Sequence, residues 1–408
     1  MNNGLRNALI ALSLGGVLVT SQSALAGILV QCPGDVDGDA QWATPGEIQP
    51  LNTKCMHLGA GDGFITMADG LSQYIFSFSD LTGLVTKPAN PGDGDDVMME
   101  GMLGASFPAP PIVLEEGDEF YLTLTNVGMS VRPDLFDPHT VHYHGFPQAA
   151  PIFDGVPDAS ISINMGSSLT YYYKVNEPGT FMYHCHVEAT EHMQMGMLGN
   201  LYVRPAQDGT TYNYGGRSYT RFAYNDGDGS TGYDVDYPIQ IGSFDSAFHI
   251  ASETVQPLPF AMMKDNYPML NGRGYPDTVN PDPLPAPTQN GGKVSQKESS
   301  LITAAPGQRV LLRISNLNVT QFNTLGTMGV PMTVVGIDAK LLRGPGGKNL
   351  FYQTNSVTLG GGQALDAIID IPANAASGTK YFLYSTNLNH LSNDTEQFGG
   401  MMTEIRVN

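Results

Sequence analysis

The chain has few basic residues, a single tryptophan and only three cysteines. Its 19 Lys and Arg residues stand against 39 Asp and Glu residues, which gives a net charge of −20. A chain this acidic offers no basic surface to neutralise phosphates, so we expect no nucleic-acid partner and no attraction to anionic lipid. The charge favours instead a cationic or neutral partner, or a small substrate.

Long hydrophobic runs are absent apart from one close to the first residue. Arg6 precedes an apolar run at residues 8–19, and Ala24-Leu25-Ala26 follows as a small-x-small cleavage site. The run is too short to span a membrane, although a retained anchor is the alternative. The sequence therefore predicts a signal peptide at residues 1–26, no membrane span, and a periplasmic or secreted mature protein.

Helical periodicity is also scarce, whereas short β-branched and aromatic runs recur between turn residues. An internal repeat relates residues 112–126 (IVLEEGDEFYLTLTN) to residues 301–316 (LITAAPGQRVLLRISN). A second pair is residues 179–183 and 378–382, and both pairs precede a Gly-Met and a last apolar strand. The repeat predicts an all-β fold made of two tandem Greek-key β-sandwich domains.

The turn-rich stretch after Arg204-Pro205 sets the expected domain boundary. We expect a first domain at residues 101–205 and a second at residues 206–408. Residues 27–100 have no counterpart in the repeat, and we expect them to form an N-terminal extension.

The three cysteines are Cys32, Cys55 and Cys185. Export permits a disulfide, and Cys32–Cys55 is the pairing that leaves the cysteine of the histidine-rich segment free. The remaining thiol of an exported protein then needs another role, and metal ligation supplies one.

Six of the nine histidines lie in two short segments. The first is His139-Thr-Val-His142-Tyr-His144, and the second, residues 179–197, reads GTFMYHCHVEATEHMQMGM. The second segment places His184, Cys185 and His186 in a row and adds His192, Met195 and Met197. A thiolate, imidazoles and a thioether on one loop are the ligands that protein copper centres use, so we predict a copper site.

Four residues form the expected mononuclear site: His139, Cys185, His192 and Met197. Met193 and Met195 compete with Met197 for the axial position, and we prefer Met197 because it follows Gly196 and keeps a short separation from His192. The alternative is a buried structural thiol with core methionines, which does not explain the histidines around Cys185.

These motifs resemble those of the multicopper oxidases, together with the surrounding text HYHGFPQAAPIFDGVPD and GTFMYHCH. The resemblance implies two cupredoxin domains from about Pro110 onward and a type 1 copper at the four residues above. It also implies a second copper centre, where a small acceptor is reduced, with ligands His142, His144, His184 and His186. Asp154 matches a residue that assists proton delivery, although a turn-forming aspartate is an equal alternative.

The alternation of side chains along a strand predicts how residues 184–186 face the two copper centres. Neighbouring side chains of a strand point to opposite sides, so Cys185 is expected to face one copper while His184 and His186 face the other. The resemblance thus implies that electrons from a small redox protein or a small-molecule reductant enter at the type 1 copper and leave through Cys185.

The second half of the chain departs from the family pattern. Its counterpart of the first motif, residues 320–326, has no histidine, and Ser385 and Asn387 stand where we expect two imidazoles. His390 is the remaining imidazole nearby. A three-copper cluster within one chain is therefore doubtful.

Three functions remain open. The first is a copper oxidoreductase of the two-domain multicopper oxidase type. The second is an enzyme similar to copper nitrite reductases, a trimer in which His390 of a neighbouring copy is the third ligand of one type 2 copper. The third is a non-enzymatic copper protein for electron transfer or copper tolerance.

Overall fold

The computed structural model describes residues 28–86, 96–146, 149–254 and 257–408. The predicted signal peptide at residues 1–26 lies outside the described residues. The first half of the described chain forms eight strands and two short helices. These are β1 (Thr53–Thr66), β2 (Ser72–Asp80), α1 (Asp96–Gly101), β3 (Ala109–Glu115), β4 (Glu119–Gly128), β5 (His142–His144), β6 (Ser168–Lys174), β7 (Gly179–His184), α2 (Ala189–Met195) and β8 (Leu198–Arg204).

The second half adds fourteen strands and one α-helix. These are β9 (Tyr212–Tyr214), β10 (Arg217–Tyr219), β11 (Val235–Phe244), α3 (Ser246–Ser252), β12 (Tyr267–Leu270), β13 (Ile302–Ala304), β14 (Arg309–Asn316), β15 (Asn323–Met328), β16 (Met332–Ile337), β17 (Lys340–Leu341), β18 (Tyr352–Thr354), β19 (Ser356–Leu359), β20 (Gln363–Asp370), β21 (Lys380–Ser385) and β22 (Met402–Val407). Short 3-10 turns lie at Pro151–Phe153, Phe260–Met262, Asp277–Val279, Thr288–Asn290 and Leu388–Leu391.

Each half is a sandwich of two sheets. In the first half the strand orders are β2-β1-β4-β6 and β3-β8-β7-β5, and one core of side chains from both sheets joins them. In the second half the orders are β12-β11-β14-β20-β16-β17, with β18 on β16, and β13-β22-β21-β15-β19. A second core lies between those two sheets, so the predicted pair of β-sandwiches is confirmed.

The two sandwiches share their pairing pattern. β1 runs parallel to β4 as β11 runs parallel to β14, and β3 runs parallel to β8 as β13 runs parallel to β22. Strands β1 and β2 therefore correspond to β11 and β12, although their sequences show no repeat. Residues 53–80 of the expected N-terminal extension thus belong to the first sandwich, and a boundary at residue 100 divides one of its sheets.

Strand β7 carries the site and is buried along its whole length because the second domain covers it. The Thr180 hydroxyl on β7 donates a 2.6 Å hydrogen bond to the Asp366 carboxylate on β20. The Tyr224 hydroxyl donates to the other carboxylate oxygen, and Arg313 lies 3.8 Å from Asp366. This buried polar group fixes the strand that leads into His184 and Cys185 against the second sandwich.

The predicted disulfide is present between Cys32 and Cys55, with a Cα–Cα distance of 5.9 Å. It ties the chain before β1 to β1 itself. Cys185 is a free, buried thiol. No helix among the described residues is long and apolar enough to cross a membrane.

Candidate metal centres

The first centre forms around Cys185, which directly follows β7. The sulfur lies 3.2 Å from Nδ1 of His192 and 3.7 Å from Nδ1 of His139. Each of the three residues contributes one ligand atom, and these atoms all lie within 4.8 Å of one another. All three side chains are 0% exposed, so the group is closed to bulk water.

The ligand loop is held in place by its own backbone. The Cys185 amide donates to the Met197 carbonyl at 3.1 Å, and the Met197 amide donates to the His192 carbonyl at 2.8 Å. Met195 and Met197 are both fully buried in the core that contains Cys185, so the choice of Met197 as axial ligand stays a prediction. Met193 lines a different cavity, described below.

The electrostatics of the first centre favour the metal-binding form of the cysteine. Burial alone would raise the pKa of the Cys185 thiol, but His192 and His139 hold the pKa well below its usual range. Burial likewise lowers the pKa of His192, but Cys185 and Asp137 outweigh it and raise the pKa to about 10. The thiolate is the metal ligand, so this loop favours the form of Cys185 that copper requires.

Neighbouring elements brace this loop from outside. The Ser77 hydroxyl on β2 donates to the Gly196 carbonyl at 2.8 Å, and the Phe76 ring packs edge-on against His192 at 5.9 Å. His249, on α3 of the second domain, places Nε2 2.9 Å from the Gln194 carbonyl and Nδ1 2.5 Å from the Tyr74 carbonyl. The sequence analysis did not place His249 at the site.

The second group of histidines surrounds a cavity of about 420 Å³ between the domains. His142, His144, His184 and His186 line it, and neighbouring rings are 5.0–6.0 Å apart between centroids. No three of these four bring ligand nitrogens within 4.8 Å of one another. The rings thus enclose a space and do not converge on one point.

Hydrogen bonds orient two of these rings for ligation. His142 Nδ1 lies 2.6 Å from the Asp154 carbonyl and His184 Nδ1 lies 2.8 Å from the Cys185 carbonyl, so Nε2 of each is left for a metal. Burial lowers the pKa of His184 to about 3 and also lowers the pKa of His144. Both rings are therefore neutral near pH 7, as metal ligands must be.

Asp154 adjoins this cavity through His142. Its carboxylate oxygen lies 3.7 Å from His142 Nδ1, and its side chain is partly exposed. The structure thus brings Asp154 beside a cavity imidazole, and its part in proton delivery stays a prediction.

Two models of the multicopper oxidase family match the chain, one over residues 89–208 and the other over residues 253–403. The chain belongs to the multicopper oxidase family. Proteins of this family bind copper at a type 1 centre and at additional centres. The donor sets around Cys185 and in the His-rich cavity fit that metal, because they combine a thiolate, imidazoles and nearby thioethers.

Curated relatives in this family match a short part of their own length. Laccase 1 of Metarhizium acridum is 35% identical over 106 residues, which is 26% of this chain and 16% of that protein. Multicopper oxidase MCE of Talaromyces pinophilus is 33% identical over 108 residues, again 26% and 16%.

A solved structure gives the fold likeness over most of the chain. The blue copper oxidase of Nitrosomonas europaea has a TM-score of 0.61 at 21% identity and covers 87% of this chain and 86% of its own. This likeness confirms the fold of tandem cupredoxin domains.

Within this multicopper oxidase fold, backbone hydrogen bonds show which second-domain residues match the copper ligands. The Ser385 amide donates to the Met401 carbonyl at 2.9 Å, as Cys185 does to Met197. The Met401 amide donates to the His390 carbonyl at 2.7 Å, as Met197 does to His192. Ser385, His390 and Met401 therefore occupy the places of Cys185, His192 and Met197.

Strand register completes the correspondence. His142 pairs with His184 across β5 and β7, and Gly326 pairs with Tyr384 across β15 and β21. Asn323, three residues before Gly326, thus takes the place of His139. The sequence alignment of Ser385 and Asn387 with two imidazoles was therefore wrong by one position, and the four imidazole places hold Gly326, Met328, Tyr384 and Thr386.

His390 joins neither group of histidines within the described part of the chain. It lines a separate cavity of about 530 Å³ with polar walls, and its Nε2 lies 3.1 Å from the Asn387 amide nitrogen. Its role as a copper ligand for a neighbouring copy stays a prediction.

Asp137 is a residue at the first centre that sequence reasoning missed. Its carboxylate lies 3.9 Å from Nε2 of His192, on the ring edge opposite to Cys185. The neighbouring His192 lowers the pKa of Asp137 against the opposing effect of burial. A carboxylate two residues before His139 was the available signal, because imidazole ligands commonly donate their second N–H to a carboxylate.

Proposed function

We propose that this chain is an exported copper oxidoreductase of the multicopper oxidase type. A type 1 copper that accepts electrons from a reductant would be held by His139, Cys185, His192 and a methionine. The His-rich cavity would hold the second copper centre, with Cys185 linking the two, and a small acceptor such as dioxygen would be reduced there. Copper supplies the one-electron redox chemistry at both centres when bound.

One observation carries this proposal: Cys185 faces a buried pair of imidazoles, while the residues on either side of it line the His-rich cavity. His184 and His186 are each one peptide unit from the thiolate. A covalent path this short connects the two groups without any other side chain, which suits passage of an electron between two metals.

The protein's own residues divide the remaining tasks. Complete burial of the first group excludes water and holds both Nδ1 atoms toward the sulfur. The Asp154 and Cys185 carbonyls accept from His142 and His184 and so fix the direction in which each free nitrogen points. We assign Asp154 the delivery of protons toward the cavity, because its partly exposed carboxylate lies beside His142.

The second-domain wall of the cavity favours a centre completed by another copy of the chain. That wall consists of Leu317, Asn318, Val319, Gly361 and Gly362, none of which is an imidazole or a thiolate. A further imidazole has to come from elsewhere, and His390 borders an open cavity in the second domain. We therefore propose a homotrimer in which neighbouring copies share this centre.

The same observation supports a second candidate, nitrite reduction at one type 2 copper held by His144, His184 and a neighbouring copy's His390. The copper nitrite reductase from Nitrosomonas europaea has the same overall fold, with a TM-score of 0.54 at 16% identity over 87% of this chain and 94% of its own. Loss of nitrite turnover in His390→Ala, with dioxygen consumption absent from the wild type, would select this candidate.

The disulfide supports export, because such bonds persist in oxidising compartments. The reductant is a small redox protein or a small molecule, and we place its approach near Asp137, a partly exposed carboxylate 3.9 Å from the buried His192.

The test combines a copper count with turnover. We expect more than two coppers per chain for the oxidase, two for the nitrite-reducing centre and one for a non-enzymatic electron-transfer protein. Dioxygen consumption with a one-electron reductant should vanish in His184→Ala and in Cys185→Ser, because each removes one end of the path. The control is His57→Gln, a buried histidine outside both groups. Unchanged turnover in His184→Ala would contradict the proposal.

A further inference from the structure

We propose that the second domain holds a binding site for a soft monovalent cation, formed by Asn323, Ser385, His390 and Met401. These residues stand in the places of the type 1 ligands His139, Cys185, His192 and Met197, as the backbone hydrogen bonds show. The site goes beyond the proposed enzymatic function and shares one residue with it, His390, which that function offers to a neighbouring copy.

Buried polar atoms without hydrogen-bond partners lie on two of these four residues. Asn323 is 1% exposed, and neither its Oδ1 nor its Nδ2 has a hydrogen-bond partner among the described residues. The buried Nδ1 of His390 also lacks a partner, and Nδ1 is the atom that His192 turns toward Cys185. Each unsatisfied buried polar group costs about 1–3 kcal/mol, so an occupant that satisfies several of them is favoured.

The side chains converge because of their strand positions. Ser385 pairs directly with Leu325, and Asn323 lies two residues before Leu325 on the same face of β15. Leu325 and Met401 are both fully buried in the core of the second sandwich. Asn323 and Ser385 therefore point into the same interior, next to Met401.

The donor set selects the charge and softness of the ion. Serine replaces the thiolate, so the set offers an imidazole nitrogen, a thioether, an amide oxygen and a hydroxyl, all neutral. A divalent cation without an anionic ligand is costly to bury, whereas a monovalent ion loses less hydration. Imidazole and thioether are ligands that suit Cu(I), so the site fits Cu(I) or the similar Ag(I).

A cavity adjoins one residue of the site. His390 lines this cavity of about 530 Å³, whose walls also carry Asp265 and Asp394 against Lys264. The two carboxylates favour cations in the cavity. Met263 on the same wall adds a further soft group.

The test uses the full-length protein with its first-domain centres loaded and oxidised, and Ag(I) as the probe. Equilibrium dialysis with metal analysis should find one more bound Ag(I) per chain in the wild type than in Met401→Leu. Leucine keeps the packing volume of methionine and removes the sulfur, so the fold is retained. His390→Gln should weaken the same binding at least tenfold, and it changes a half-buried side chain, which guards against a folding failure.

The matched control is Met328→Leu, which removes an exposed methionine from the end of β15. It should bind as much Ag(I) as the wild type. Equal Ag(I) binding by the wild type, Met401→Leu and His390→Gln would overturn the proposal, as would a crystal soaked in Ag(I) that shows a water alone between Asn323 and His390. Met401→Leu lies outside both first-domain centres and leaves the visible absorption of the Cys185 copper unchanged, so that absorption reports on the proposed function separately.

Discussion

The two sandwiches of this chain have one topology and two different interiors at the same place. Where the first domain has His139, Cys185 and His192, the second has Asn323, Ser385 and His390, on strands paired in the same register. The backbone therefore supplies the positions, and the side chains alone decide whether a redox metal is held. One domain of this fold can lose that chemistry without losing its packing.

The second domain nevertheless contributes to the first-domain site. It covers β7 through Asp366, forms one wall of the His-rich cavity, and braces the ligand loop through His249. The second domain thus lacks these ligands but supports the site in the first domain. Four variants, ordered by expected effect, test this difference.

His139→Asn gives the first domain the residue that the second domain has. The copper thiolate absorption should disappear or fall at least tenfold, because an amide replaces an imidazole ligand of a centre that needs two. Visible spectroscopy of the copper-loaded variant measures the change, with Asn323→Ala as control. An unchanged spectrum in His139→Asn would remove this residue from the ligand set.

The reverse change, Asn323→His with Ser385→Cys, gives the second domain the first domain's ligands. His390 and Met401 are already in place, so we expect a second thiolate-to-copper band. This band should be absent from the single variant Asn323→His, which has no second thiolate. A folded double variant without the second band would refute the correspondence between the domains.

Asp366→Ala should strongly destabilise the junction between the domains. The residue is 0% exposed, accepts from Thr180 and Tyr224, and faces Arg313, so its removal leaves buried donors and a buried cation without this partner. We expect a loss of about 3–5 kcal/mol in denaturant unfolding. The control Asp370→Ala removes an exposed carboxylate that pairs with the buried Arg309 and should cost under about 1 kcal/mol. Similar losses in both variants would contradict the structural role.

His249→Phe should have a smaller effect on stability and a visible one on the type 1 copper. It keeps an aromatic ring against Phe244 but removes the contacts to the Tyr74 and Gln194 carbonyls, at a cost of about 1–3 kcal/mol. The type 1 absorption band should shift, since Gln194 lies between His192 and Met195 on the ligand loop. Conversely, a stability loss with an unchanged spectrum and potential would reduce His249 to a packing residue.

The sequence alone predicts which side chains of the first domain come together, because spacing and residue type carry that information. His139, Cys185 and His192 meet as expected, and the four other imidazoles line one cavity. The disulfide followed from the small number of cysteines. These features depend on the order of residues along a strand or on the small number of residues of one type. Both can be read directly from the sequence.

Other features depend on tertiary packing and could not be read. Cys185 lies six residues after Gly179, whereas Ser385 lies seven after Gly378, so matching the two glycines misplaced the second-domain counterparts by one residue. Strand β1 repeats the role of β11 without repeating its sequence. Met193 lines the His-rich cavity with Ala189 because residues four apart share one face of α2.

The most direct test of a type 1 copper at Cys185 is the visible absorption spectrum of the copper-loaded protein, compared with that of Cys185→Ser. We predict an intense band from the bond between Cys185 and copper in the wild type, its complete loss in Cys185→Ser, and its retention in Ser385→Ala. A colourless copper-loaded wild type, or a band that survives in Cys185→Ser, would contradict it.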